Sequence, residues 1–250
     1  MEHVFAVKDQ ETLTRYQAFL EDVRPRLEDY IRFLQAEYQA EELPRAIVWS
    51  DPDVAMRLVG DIPVPAYTND FRIMFTPDLN AWRALYLRQL DGLPESGTVK
   101  QVRDYYANRL SRNNVLQILG HELAHHIALF PDDFDEYPTP STWFEEGMAE
   151  YISRRWFLTA GEFDAEAQVN QLLVELLDER YGAHPLADYG AHLEKDGSGA
   201  GLFFDYWRAF LAVSRAVERC GGVLEAFRAL RQWSEADTDR TLAEWFGLDE

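Results

Sequence analysis

Cysteine is nearly missing from this chain: Cys220 is the single one among 250 residues. One thiol forms no intramolecular disulfide, and a metal site built on cysteines is excluded with it. Positive charge is also scarce. Lys and Arg number 24 against 44 Asp and Glu, for a formal net charge of −20. Such a field repels phosphates, and no Lys/Arg cluster interrupts it, so nucleic acid and anionic membrane surfaces are poor partners. No apolar run approaches the ~20 residues that a membrane span needs. The segment Met1-Glu2-His3-Val4 lacks a basic stretch leading into an apolar one, so no signal peptide is expected and the cytoplasm is the expected location. Internal repeats and low-complexity tracts are absent as well.

Apolar residues are plentiful. They make up 47% of the chain, enough to bury the core of one large domain or of two lobes sharing a core. From Glu11 to Glu42, helical spacing links Leu13, Tyr16, Phe19, Leu20, Val23, Leu27, Tyr30, Ile31 and Leu34, with Pro25 expected to kink or divide the helix. Ala46 to Trp49 is a short apolar run of strand type. Val64–Thr68 and Phe71–Phe75 flank Asn69-Asp70 and predict a hairpin, in which Pro63 and Pro65 suit only an edge strand. Pro77–Leu90 and Val99–Leu129 have helical spacing, the latter broken near Ser111–Asn114, where a cap is expected. After Tyr151 the pattern is mostly helical to Phe246, interrupted at Gly182–Pro185 and Asp196–Gly199.

One motif carries chemistry. His121-Glu122-Leu123-Ala124-His125 places two imidazoles one helical turn apart on a single face, the arrangement that grips one zinc ion. Glu122 sits beside them, within reach of a water on the metal. Leu116, Leu119, Leu123 and Ile127 form an adjacent apolar stripe that anchors the helix and leaves the ligands to face a cleft. Glu146 follows His125 after 20 intervening residues on a predicted second helix and offers a third ligand. Three protein ligands with a fourth position open is the pattern of a catalytic metal. Glu145 competes for that role. As the third residue after Thr142 it fits a capping carboxylate, which leaves Glu146 facing inward. His126 points about 100° away from His125 and fits a hydrogen-bonding residue better than a ligand. A di-iron bundle would need a second Glu-x-x-His, and the downstream His184 and His192 each have tyrosine three positions earlier.

The two strings together, His121–His125 and Trp143-Phe144-Glu145-Glu146-Gly147-Met148-Ala149-Glu150-Tyr151, resemble the gluzincin zinc metallopeptidases, which include thermolysin-like enzymes and zinc aminopeptidases. The resemblance spans Asn113 to Tyr151. It implies His121, His125 and Glu146 as zinc ligands, Glu122 as general base, and Glu150 as the carboxylate that braces a ligand histidine. The spacing of Glu146 and Glu150 agrees, since residues four apart share a helix face. It further implies a donor to the transition state from a downstream helix, for which Tyr189, His192 and Tyr206 lie in the right region. A sheet edge aligning an extended peptide is also implied, with the hairpin around Phe71–Phe75 as its candidate. The Gly-x-Met-Glu-Asn string by which zinc aminopeptidases read a free amino terminus is absent.

The expected fold class is therefore α+β, mostly helical and zincin-like, with a small mixed or antiparallel sheet above the motif helix. Residues 1–98 are expected to form an N-terminal helix and β-lobe, 99–160 the motif helices, and 161–250 a C-terminal helical lobe of one catalytic domain. The expected activity is zinc-dependent hydrolysis of a peptide or protein substrate. The alternative is a catalytically silent, zinc-stabilised interaction or regulatory module, against which the intact Glu122 argues. A latent protease is a third reading, with the acidic Asp132–Glu136 stretch as lid; the glycine-rich Gly197–Gly201 stretch reads separately as a flexible connection or one wall of the cleft.

Overall fold

The structure, a computed structural model, describes residues 1–58, 65–131, 138–191 and 199–248. It is an α+β protein, 66% helical, with a small mixed sheet. Contacts divide the described chain into two compact units. The first comprises Met1–Gly92, Arg103–Ala128 and Ile152–Thr159, the second Leu93–Val102, Leu129–Tyr151 and Ala160–Glu250.

The first unit holds the sheet. Strand β1 (Glu2–Ala6) leads through helix α1 (Gln10–Tyr38) to β2 (Ala46–Ser50). The two strands pair in parallel from Glu2↔Ala46 to Ala6↔Ser50, with α1 as the crossover that parallel neighbours require. Helix α2 (Pro52–Leu58) follows, then the hairpin of β3 (Ala66–Asn69) and β4 (Arg72–Phe75). The Asn69 carboxamide oxygen accepts both the Phe71 and the Arg72 amide at 3.0 Å, an Asx arrangement that turns the chain. The strand order is β1-β2-β4-β3, with β4 parallel to β2 and antiparallel to β3. Of the hairpin expected to supply a sheet edge, the Arg72–Phe75 strand is thus interior. Ile73, Met74 and Phe75 are buried in a row, as suits a strand covered on both faces. The edge is β3, which begins directly after Pro65, a residue with no amide hydrogen to offer a ladder. Pro63 and Val64 lie outside the described residues.

Helix α1 is capped by Asp9, whose carboxylate accepts the Thr12 amide at 2.8 Å. It stays one helix across Pro25 and ends at Gln39 in the left-handed region (φ 61°). Its buried face, Tyr16, Leu20, Val23, Leu27, Tyr30 and Leu34, is largely the stripe read from the sequence. Helices α3 (Leu79–Arg88), α4 (Gly97–Asn108) and α5 (Arg112–Ala124) follow. Ser111 caps α5 in a reciprocal box with Asn114. Every residue of α5 from Asn114 to Ala124 is buried. It is a central helix with the sheet strands β3 and β4 packed on it, and not the one-sided amphipathic helix that its apolar stripe suggested.

In the second unit, α7 (Ala160–Tyr181) packs on α8 (Gly199–Cys220), which also meets α9 (Val223–Ser234); α10 (Leu242–Trp245) is the last described helix. Helix α6 (Thr142–Phe157) contributes to both units. Its first residue is Thr142, with the Ser141 carbonyl accepting the Glu145 amide at 3.2 Å. The helix therefore starts with Ser141 in the capping position, one residue before the predicted Thr142–Glu145 box. Among the described residues no helix is long and apolar enough to cross a membrane.

Candidate functional site

Helix α5 delivers His121, and His125 follows at its C-cap with helical dihedrals (φ −60°, ψ −16°), so the one-turn spacing of the two rings is preserved. The chain then leaves the helix, because the His126 and Ile127 amides bond back to the Leu123 and Ala124 carbonyls. The helix predicted to reach Leu129 thus stops at Ala124. His126 holds that exit. Its Nδ1 lies 3.2 Å from the Glu42 carbonyl and its Nε2 2.8 Å from the Thr68 hydroxyl on β3. A carbonyl only accepts, so Nδ1 carries the hydrogen and Nε2 accepts from Thr68. Burial, seconded by His125, pushes the His126 pKa down to about 4. A neutral ring committed at both nitrogens is a strut, as its direction in the sequence suggested.

The rings of His121 and His125 stand at 82°, with their Nε2 atoms 3.1 Å apart. Two nitrogens bound to one tetrahedral zinc at about 2.0–2.1 Å each would be separated by about 3.3 Å, so the pair is already close to that edge length. Helix α6 supplies the third donor. Its Ser153 hydroxyl accepts from the Gln117 carboxamide of α5 at 3.0 Å. Gly120 of α5 allows the approach, since a Cβ there would come within 3.2 Å of the Ser153 Cβ and 2.5 Å of the Phe157 ring. Glu146 lies seven residues before Ser153, two turns along the same face of α6. One donor atom from each of His121, His125 and Glu146 lies within 4.8 Å of the others.

The donor set fits a divalent metal. Glu122 and Glu146 are 8% and 5% exposed and His121 5%. Buried carboxylates are costly unless a positive charge offsets them, and two imidazoles with a carboxylate suit zinc and its neighbours in the first transition row. Glu145 is half-buried and outside the group. Glu150 is half-buried one turn beyond Glu146.

The environment of Glu146 comes from α8. A Cβ on Gly147 would stand 2.4 Å from the Ala209 carbonyl oxygen, so only glycine lets the two helices meet there. That approach sets the Tyr206 hydroxyl 3.4 Å from Glu146 Oε1, the outer limit of a hydrogen bond. Tyr189 is buried and packs edge-on against Tyr206, ring centres 5.6 Å apart. Of the three downstream residues expected near the site, Tyr206 reaches Glu146 and Tyr189 reaches it through Tyr206. His192 lies outside the described residues, as do the Asp132–Glu136 stretch and residues 192–198 of the glycine-bearing loop. The sequence reading passed over Asp205, whose carboxylate meets His184 across 21 positions; no local pattern signals a contact at that separation.

Compared with family models, curated proteins and solved structures, the chain has no match in any of the three.

Proposed function

We propose that this chain is a metal-dependent peptide hydrolase of gluzincin type, with zinc held by His121, His125 and Glu146 and with Glu122 as general base. The observation that carries the reading is the gathering of those three donors within 4.8 Å beside a buried carboxylate one residue from the first histidine. When bound, the metal lowers the pKa of a coordinated water to about 7 and polarises the carbonyl under attack. The chain's residues do the rest. Glu122 takes a proton from the attacking water and passes it to the departing amine. Glu150 braces a ligand histidine, which sets the ring's tautomer and orientation. Tyr206 offers its hydroxyl to the developing oxyanion, and Tyr189 packs against it. The edge strand β3 lies on the motif helix and suits alignment of an extended peptide backbone. With one cysteine and no need of a disulfide, such an enzyme belongs in the cytoplasm.

Zinc titration and turnover of a peptide library test the reading on two variants. Glu122→Gln retains zinc and loses turnover by about 10²–10⁴-fold, the usual worth of a positioned base. His125→Ala loses zinc outright, beyond the roughly 10–100-fold in affinity that removing a brace such as Glu150 costs. Parental cleavage by the Glu122→Gln protein would remove the general base. Tight zinc binding with no cleavage of any peptide would leave the silent zinc-stabilised module in its place.

A further inference from the structure

The loop between α7 and α8 is tied down by a buried His–Asp hydrogen bond that the proposed chemistry does not use. His184 and Asp205 have side chains 8% and 3% exposed, with His184 Nε2 2.8 Å from Asp205 Oδ1. The other ring nitrogen, Nδ1, lies 2.8 Å from the Tyr181 carbonyl. A carbonyl only accepts, so Nδ1 donates its hydrogen to Tyr181, and Nε2 shares a hydrogen with the Asp205 carboxyl. Asp205 Oδ2 accepts the Gly190 amide at 3.0 Å, and Arg208 donates to the His184 carbonyl at 3.0 Å. Burial pushes the Asp205 carboxyl up, while the Gly190 amide, His184 and Arg208 pull it back. Gly190 turns the chain with φ +81°. One carboxylate on α8 thereby fastens both ends of residues 184–190.

The neighbours of that clamp in sequence are the two tyrosines at the site. Tyr206 follows Asp205 and reaches Glu146; Tyr189 precedes Gly190 and packs against Tyr206. We propose that His184 and Asp205 are positioning residues, whose hydrogen bond, with the Gly190 amide bonded to the same carboxyl, locks Tyr189 onto Tyr206 and so aims the Tyr206 hydroxyl into the site beside Glu146. The role in turnover rests on the peptide hydrolase reading; the aiming of the ring does not.

Two measurements on the full chain test it. In zinc-loaded protein, Asp205→Asn lowers kcat on a cleaved peptide by about tenfold with KM within about twofold. The Asp205→Asn/Tyr206→Phe double variant falls no further than Tyr206→Phe alone, because the clamp acts through that hydroxyl. Losses that multiply, or an unchanged kcat in Asp205→Asn, overturn the inference. In metal-free protein, the fluorine resonance of 3-fluorotyrosine at position 206 moves in His184→Gln, which is remote in sequence, and in Glu146→Gln. A resonance unmoved by His184→Gln overturns the inference whether or not the protein hydrolyses peptides. Should either clamp variant fail to unfold cooperatively, the other carries both readouts. A parent protein that binds no zinc or cleaves nothing sinks the hydrolase reading alone, and the fluorine measurement still decides the clamp.

Discussion

Gly147 shows what a missing methyl group does at this site. It stands beside Glu146 and lets α6 press on the Ala209 carbonyl of α8, which a Cβ would meet at 2.4 Å. The obstructing atom is backbone and has no rotamer by which to yield. Gly147→Ala is therefore destabilising by about 1–3 kcal/mol, the usual cost of overpacking, despite the roughly 1 kcal/mol by which alanine outranks glycine in a helix. Urea denaturation measures the stability loss, and zinc titration is expected to show weaker binding because the neighbouring Glu146 is displaced. At Gly120 the nearest obstacle is the edge of the Phe157 ring, a side chain with some freedom to turn. The one-turn spacing of His121 and His125 was legible in the sequence, because helical dihedrals persist through His125, whereas the direction of His126 is fixed by Glu42 and Thr68. The choice of Glu146 over Glu145 rested on reading Glu145 as a capping carboxylate for Thr142, whereas the helix is capped one residue earlier, at Ser141. The contact between Tyr206 and Glu146 was not legible, since it depends on two helices meeting at a glycine whose partner is 62 positions away.

At the scale of elements, the strands explain what periodicity reaches and what it misses. The hairpin of β3 and β4 was readable from alternating apolar residues around Asn69-Asp70. Strand β1 was not, since Glu2-His3-Val4-Phe5-Ala6 contains few of the residues that mark a strand and is organised by its pairing with β2. That pairing includes a side-chain bond with a definite protonation requirement. The Trp49 indole donates to His3 Nδ1 at 3.1 Å, so the acceptor nitrogen must be bare. Burial, aided by Arg24 and the terminal ammonium, holds the His3 pKa below its usual value. The folded chain then takes up this proton less readily than the unfolded one, so stability is present above the unfolded pKa of about 6.5 and drains away as pH falls through and below it. Urea midpoints between pH 7 and pH 5 are expected to drop more in the parent than in His3→Asn, whose carbonyl keeps an acceptor without titrating; parallel curves would remove the assignment. Helix ends were likewise only partly readable. Ser111 announced the start of α5, but its early stop at Ala124 is imposed by Glu42 and Thr68 gripping His126 from distant segments.

For the whole molecule, a metal that binds the native chain alone must appear in its unfolding. At free zinc about 100 times the dissociation constant, linkage adds about 2.7 kcal/mol, which for a chain of this length raises Tm by about 5–10 °C. Differential scanning calorimetry with zinc and then with chelator is expected to show that rise and its reversal, and His125→Ala to show neither. An unchanged Tm in the parent at saturating zinc would mean that the three donors bind no metal in the folded state. The fold class was legible at this scale because long amphipathic stretches dominate the chain and a few short apolar runs stand apart from them. The parallel arrangement of the sheet was beyond periodicity, which says that a segment is extended and nothing of its neighbour.

Helix α6 is also a ruler. The residue that anchors it to α5, Ser153, and the proposed third ligand, Glu146, are joined by uninterrupted helix, so their relative bearing is a matter of counting. Losing one residue between them would swing the carboxylate by about 100° and draw it in by about 1.5 Å. Substitutions along that stretch are judged one side chain at a time; a change in its length would disarm the triad even if every donor survived.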